Sequence, residues 1–384
     1  MALTDAPGSG APPRTALWVV PVADLGGVAR HVLDVAGAGI PGWRLVVLCP
    51  AGPLADRLRT LGADVRTGPI GPAAGTRASV VTLRHTVRAV RPALVHSHLS
   101  HADIVAALAT PRGNPIVTTE HGIAADDRVY HGSTQRARLM ADVHRMRLRR
   151  AAAIVAVSEA TRTAMLDKWH PRTPITVIHN GIDRPADLEP RTARRHRAPR
   201  DGGHVVALAR LAPEKRLPEL VDAFAVLRRR RPRARLTLAG IGPLDGALRA
   251  QVRRLGLDDA VELPGHVEAG PLLARADVVA QLSVWENCSY TLLDAIVAGL
   301  GVVASPVGGN PELLPARCLV DPADPAAVAD RLAAQADDPT ARPWLPDGWP
   351  SVADMCARIA DVYAALSPVA ASPGRVQARE RAGS

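Results

Sequence analysis

Two acids stand eight residues apart in the stretch WENCSYTLLDA, Glu286 and Asp294, within a chain otherwise built mostly from Ala, Arg, Val, Leu, Pro and Gly. Glu286 follows the apolar run ADVVAQLS (276–283), and ENCSY reads as the mouth of a helix that continues through TLLDAIVAGL. Asp294 then lies about one turn in, and Tyr290 and Thr291 open the helix. Free N–H groups at a helix start, with the Ser289 hydroxyl beside them, favour a phosphate. Glu286, ahead of the helix, is placed to accept hydrogen bonds from sugar hydroxyls. A pair of cations gives a second signal. In VVALARLAPEKRLPELVDAF, Arg210 ends a strand and Lys215 stands five residues on, beside a helix start. The chain has only two lysines, Lys168 and Lys215, among 47 basic residues, so a lysine here runs against composition. An ammonium acting as a point charge and a guanidinium acting as a fork suit a pyrophosphate; an exposed loop lysine is the plainer alternative.

Four weaker signals sit at other strand ends. Gly26 and Gly27 open a helix at Val28 after the run ALWVVPV (16–22), either as a tight turn or as a place where backbone N–H groups approach an anion. His121, the last residue of PIVTTEH, stands just past a strand end and precedes a glycine, as a structural residue or as one facing a ligand. Gly240 and Gly242 in LAGIGPLDG do not complete a G-x-G-x-x-G fingerprint and offer a turn that approaches a ligand without side chains. VIHNGID (177–183) has turn chemistry, and SPVGGNPELL supplies another turn with Gly308, Gly309 and Glu312.

Short apolar runs without alternation, separated by helix-compatible stretches, position these residues. Six lie between 16 and 181, and six more between 204 and 322, the last being CLVDP (318–322). Such runs are expected of strands buried on both faces of parallel sheets. The fold class is α/β, with two Rossmann-like, doubly wound parallel-sheet domains facing a cleft. The expected organisation is a flexible leader (1–14), a first domain (15–185), a linker rich in Arg, Pro and Gly (186–203), a second domain (204–345), a last amphipathic helix (346–366) and a disordered tail (367–384). In open parallel sheets, ligands sit beyond the carboxyl ends of the strands, where the unusual residues fall.

Composition excludes several classes. One Phe and three Tyr leave no aromatic platform for nucleic-acid bases, so the +10 charge does not indicate such a partner. Four scattered cysteines without C-x-x-C or His spacing suggest neither zinc nor a disulfide framework. The Asp126/Asp127 and Asp258/Asp259 pairs sit in turn-like contexts, and no D-x-D loop follows an apolar strand, so no metal and no cofactor is expected. The start of the chain has no charged n-region or long apolar run, and no segment reaches the ~18 apolar residues of a membrane span. A cytoplasmic protein follows from this. Basic stretches at 144–150, 191–200 and 228–235 suit solvated helix faces and a linker. The first also suits peripheral contact with an anionic membrane surface or an anionic acceptor.

With these pieces in order, the sequence from roughly residue 16 to 366 resembles the GT-B-fold, retaining glycosyltransferases of family 4 (glycosyl transferases group 1). The GG loop, T-x-E-H-G, V-I-H-N-G-I-D, A-R-L-x-x-E-K, G-x-G-P, E-x7-D and G-G-N-P-E carry the resemblance. It implies that Arg210 and Lys215 neutralise the diphosphate of a nucleotide-sugar donor and that Glu286 touches the donor sugar. It further implies that Asp294 meets the ribose and that His121 lies near the reacting centre. Gly26 and Gly27 would approach the donor phosphates and acceptor, and the last helix would cross back onto the first domain. The implied partners are a nucleotide-sugar, on family grounds a UDP-sugar, and an unidentified hydroxyl acceptor in polysaccharide, glycolipid or secondary-metabolite biosynthesis. Two departures bear on donor-sugar identity: the second acid is Asp instead of Glu, and Asn287–Tyr290 replace a Gly-Phe-Gly-like run. A sugar-nucleotide epimerase or hydrolase of the same fold, or a noncatalytic sugar-nucleotide binder, would need the same donor pocket without an acceptor.

Overall fold

A computed structural model describes residues 13–123, 134–184 and 202–366. The expected leader, linker and tail lie wholly or almost wholly outside the described residues. So do the loop 124–133, with its Asp126/Asp127 pair, and the basic stretch 191–200.

The first sheet has seven strands in the order β3-β2-β1-β4-β5-β6-β7. They are β1 (Arg14–Val19), β2 (Trp43–Cys49), β3 (Asp64–Thr67), β4 (Leu94–His98), β5 (Ile116–Glu120), β6 (Ala153–Ala156) and β7 (Ile175–Val177). Every pairing is parallel. Strands β4 (LVHSH) and β5 (IVTTE) are buried at every position, their polar residues included, as central strands of a parallel sheet. The polar DVRT of β3 has no apolar run and was not expected to be a strand. It forms at the sheet edge, half exposed, where only one side must pair.

The second sheet has five parallel strands in the order β10-β9-β8-β11-β12. These are β8 (His204–Leu208), β9 (Arg235–Ala239), β10 (Val261–Gly265), β11 (Val278–Gln281) and β12 (Gly301–Ala304). Pro264 is tolerated in β10 because that strand is the edge. The expected strand at 318–322 does not form. Leu319 makes a single parallel bridge to Ala304, after a 3-10 turn at Ala316–Cys318, and the flanking Pro315 and Pro322 cannot donate to a ladder.

Both orders are doubly wound, two Rossmann-like α/β units as the apolar runs anticipated. Each has a switch point where the winding reverses, between β1 and β4 in the first sheet and between β8 and β11 in the second. The strand ends and the loops leaving them carry Gly26–Gly27 and His98 on one side, and Arg210–Lys215 and Glu286 on the other. A last helix, Val352–Ala365, begins at a Ser351/Asp354 capping box. Its Met355, Ile359 and Tyr363 join the apolar core built around Trp18 and Val32 of the first domain. The chain thus returns to its starting domain.

Candidate active site

The second domain builds the cationic side. Strand β8 ends at Leu208, and the chain passes Arg210 into a 3-10 turn at Pro213–Lys215. The Lys215 Nζ donates to Glu286 Oε1 at 2.5 Å, and the Ser283 hydroxyl donates to the same oxygen at 2.7 Å. The lysine is 19% exposed and the glutamate 13%, so the pair is shielded but reachable from the cleft. Arg210 behaves differently: it pairs with Glu214 of its own loop and is 68% exposed. Burial raises the Glu214 carboxyl, but the Arg210 bond and nearby cations outweigh it and hold the group below its usual range.

Gly240 and Gly242 are explained by packing. A Cβ at Gly240 would stand 1.9 Å from the Ala209 carbonyl oxygen, and one at Gly242 would stand 2.4 Å from that of Leu211. The G-x-G turn therefore packs against the Arg210 loop, and the missing side chains make room for that loop's backbone.

The helix Tyr290–Val297 starts where expected. Ser289 is its N-cap: its Oγ accepts from the Leu292 N–H at 3.4 Å and from Gln281 Nε2 at 2.8 Å. Thr291 lies in the first turn. Tyr290 is buried, and its hydroxyl has no hydrogen-bond partner among the described residues; burial drives its pKa well up. The Tyr290 ring lies under Arg30 of the first domain, 5.4 Å from ring centre to guanidinium carbon. Arg30 also reaches Asp294, at 3.6 Å, and burial raises the Asp294 carboxyl while Arg30 opposes the rise. The shortened acid thus faces a cation from the opposite domain.

On the first-domain side, Gly26 caps the helix Gly27–Ala38 with extended backbone, and no atom lies within 4 Å of a Cβ built on either glycine. His121 follows β5 and contacts His98 at the end of β4, with Nε2 and Nδ1 2.9 Å apart. His31, from the helix after Gly26, lies edge-on to His121 at 4.9 Å between ring centres. Burial pushes all three imidazoles toward the neutral form, His31 to about 4 and the other two well below their ordinary value. Beneath them Trp18 Nε1 donates to the Tyr363 hydroxyl at 2.7 Å, and His96 bridges that phenol and Thr119 at 2.5 and 2.7 Å. The last helix therefore supports the floor of the histidine cluster.

The two sides meet at the run expected to set sugar selectivity. Asn287 Oδ1 accepts from the Thr161 hydroxyl at 2.8 Å and from the Ile123 N–H at 3.5 Å. The Cys288 carbonyl accepts from Asn180 Nδ2 at 2.8 Å. A Cβ on Gly122, beside His121, would lie 3.3 Å from the Trp285 ring. Glu312, from G-G-N-P-E, accepts from the N–H groups of Glu159 and Ala160 at the start of the helix Glu159–Trp169, and from His179. Burial raises its carboxyl, but these three donors hold it below its usual range. Sequence reasoning missed Asn180, Asn287 and Glu312 as domain-bridging residues, and His31 and His98 as neighbours of His121. An H-x-H at a strand end was the available signal for His98.

Much of the 144–150 basic stretch is engaged internally. Arg147 is buried against both Asp103 and Glu120, and Arg145 pairs with Asp142. Along the 228–235 run, Arg228, Arg230 and Arg231 pair with Asp259, Asp330 and Asp337. No helix among the described residues is long and apolar enough to cross a membrane.

Comparison with known proteins agrees with this architecture. The Glycosyltransferase Family 4 profile matches residues 25–184, and the Glycosyl transferases group 1 profile matches residues 202–338. The chain is 29% identical over 361 residues to a glycogen synthase of Mycobacterium tuberculosis, covering 84% of this chain and 86% of that one. It is also 29% identical over 367 residues to 2-deoxystreptamine glucosyltransferase of Streptomyces kanamyceticus, covering 84% and 90%. Among solved structures, Anabaena HepE in complex with UDP and glucose superposes with a TM-score of 0.71 at 23% identity, over 92% of this chain and 99% of that one. The two profiles take one domain each, on either side of the cleft holding Lys215, Glu286 and His121, and the chain is a GT-B-fold glycosyltransferase of family 4, group 1.

Proposed function

We propose that this glycosyltransferase moves a hexose-type sugar from a nucleoside-diphosphate sugar, a UDP-sugar, to a hydroxyl acceptor with retention of anomeric configuration. The observation that carries the reading is the shielded Lys215–Glu286 pair at the switch point of the second sheet, set opposite His121 and the open Gly26–Gly27 turn. The UDP bound by HepE and the glucosyl transfer named for the S. kanamyceticus relative support the donor class. Polysaccharide, glycolipid or secondary-metabolite biosynthesis is the proposed setting.

When the C–O bond to the diphosphate breaks, the leaving oxygen gains negative charge. Lys215 and Arg210, each resting on a carboxylate of its own domain, are free to transfer their charge to that diphosphate, and the helix N–H groups behind Ser289 add to the field. Glu286, released by Lys215, then accepts from the sugar hydroxyls. Asp294 meets the ribose once Arg30 yields it. Retention follows from front-face attack, with a leaving-group phosphate oxygen taking the acceptor proton. Glu286 and Asp294 grip two parts of one donor and do not act as a glycosidase-type pair flanking the scissile bond, where retention calls for carboxyls about 5–5.5 Å apart. The protein's own cations supply the charge, so the reaction needs no divalent metal.

The test is incubation with a panel of nucleotide sugars, alone and with hydroxyl acceptors, followed by mass spectrometry and anomeric NMR. Transfer with the α-linkage of the donor kept, at a rate unchanged by EDTA, is expected. Donor consumed only to free sugar would favour the hydrolase, and inversion or loss of rate with EDTA would overturn the mechanism.

A further inference from the structure

Three histidines meet on the first domain's side of the cleft: His31 from the helix after Gly26, His98 from the end of β4 and His121 from the end of β5. One ring nitrogen from each lies within 4.8 Å of the other two. Tetrahedral ligands bound at about 2.0–2.1 Å stand roughly 3.4 Å apart, so no pair has to close by more than about 1.4 Å. The His98 Nδ1–His121 Nε2 contact at 2.9 Å is a hydrogen bond, which gives way if both of those nitrogens bind the ion.

The cluster is prepared for a ligand in two independent ways. Asn180 Nδ2 is spent on the Cys288 carbonyl, so its Oδ1 accepts from His31 Nδ1–H at 3.2 Å. That fixes the His31 tautomer and leaves Nε2 with a lone pair, the arrangement in which an outer hydrogen bond orients a metal-binding imidazole. In addition, His31 Nε2 and His98 Nε2 are buried and have no hydrogen-bond partner among the described residues, a cost that neutral imidazoles would recover by binding a cation. His121 is only partly buried, so a fourth ligand such as water can enter from the cleft.

We propose that His31, His98 and His121 form a three-histidine site for a divalent transition cation of the zinc class, and that filling it stops transfer by occupying His121. Three neutral nitrogen donors suit Zn²⁺, Co²⁺, Ni²⁺ or Cu²⁺ and do not suit Mg²⁺ or Ca²⁺, which take oxygen ligands. The ion would be an inhibitor held at the reacting centre, with no part in the reaction. Its inhibitory effect rests on the role proposed for His121, whereas its binding does not.

Chelator-treated full-length protein should be titrated with Co²⁺ and followed by visible d–d absorption, then displaced with Zn²⁺. One equivalent with the intense spectrum of a four-coordinate site is expected, together with a metal-dependent rise in melting temperature. His31→Phe and His98→Phe, which keep a ring against Trp18, should each weaken binding at least tenfold. Glycosyl transfer by the unaltered protein should fall as the site fills and return with chelator. A featureless Co²⁺ titration of the unaltered protein, or equal binding by whichever of the two variants folds, would overturn the site. Binding with these properties but undiminished transfer would overturn the inhibitory role and the placement of His121, leaving the metal site standing.

Discussion

Replacing Lys215 by alanine tests the centre of the mechanism. At rest the ammonium neutralises Glu286 at 2.5 Å, in a pair only 13–19% exposed. In the proposed mechanism it neutralises charge appearing on the leaving diphosphate during transfer. A unit-charge contact near 4 Å is worth about 4 kcal/mol at an effective dielectric of 20. Measured losses of a single preorganised donor to a developing oxyanion run about 2.7–4 kcal/mol. The variant should therefore lose roughly a hundred- to a thousandfold in kcat. It also strands Glu286, largely shielded, with only Ser283 donating to Oε1, so a stability cost of about 1–3 kcal/mol belongs to the same change. Lys215→Ala/Glu286→Gln removes that stranded charge and should regain melting temperature without regaining rate. The assay is single-turnover transfer from a saturating nucleotide-sugar donor, read beside a thermal melt. A kcat within about threefold of the unaltered protein, in a variant that melts normally, would refute the assignment of Lys215 to the leaving group.

Gly26→Ala should fold with unchanged melting temperature, because the backbone is extended and a Cβ there touches nothing. Donor KM should still rise about tenfold, about 1.4 kcal/mol, because the methyl enters the space proposed for the phosphates; equal kinetics would remove the glycine from the site. Tyr363→Phe removes the phenol that joins Trp18 and His96 and should cost about 1–3 kcal/mol in denaturant melts with kcat little changed. A large fall in kcat at normal stability would show that this floor acts on the reaction itself. Glu312→Gln keeps the shape of the contact at the start of the helix Glu159–Trp169 but loses its charge. It should weaken that contact by about 0.3–2 kcal/mol and raise donor KM more than it lowers kcat. X-ray scattering of the free variant should show a larger radius of gyration, and an unchanged radius would argue against a clamp.

What the sequence disclosed depends on the range over which each residue acts. Lys215 was legible because the chain otherwise uses arginine, and Glu286 and Asp294 because eight residues separate them on one loop and helix. The parallel strands were legible because burial on both faces favours an unbroken apolar or small-residue run, which GVVA of β12 shows at every position. The polar edge strand β3 carries no such run, and the apolar CLVDP could not become a strand between two prolines. Asn180, Asn287 and Glu312 were illegible for a different reason. Their partners lie more than a hundred residues away, and each sits in a segment whose local chemistry is already accounted for as a turn or a helix mouth. Arg147 misled in the opposite sense: a basic run reads as solvated surface, yet one member of it is buried between two acids.

The run Asn287–Tyr290 shows how these two kinds of residue combine. Asn287 and the Cys288 carbonyl bind the first domain, Ser289 caps its own helix and Tyr290 is buried beneath Arg30. Each of these four positions makes a contact within the protein, and Glu286, one residue earlier, pairs with Lys215. Donor grip and domain contact are therefore built into one continuous segment. A ligand that draws Lys215 off Glu286 acts on the backbone that holds Asn287 against Thr161. Donor binding can alter the domain contact only through such a difference in contacts between bound and free states. Asp294 extends the same logic across the cleft, because the cation it must give up to meet a ribose is Arg30 of the opposite domain. In the proposed mechanism this shortened acid serves both a ribose and a domain contact, and Glu286 is the acid that meets the sugar.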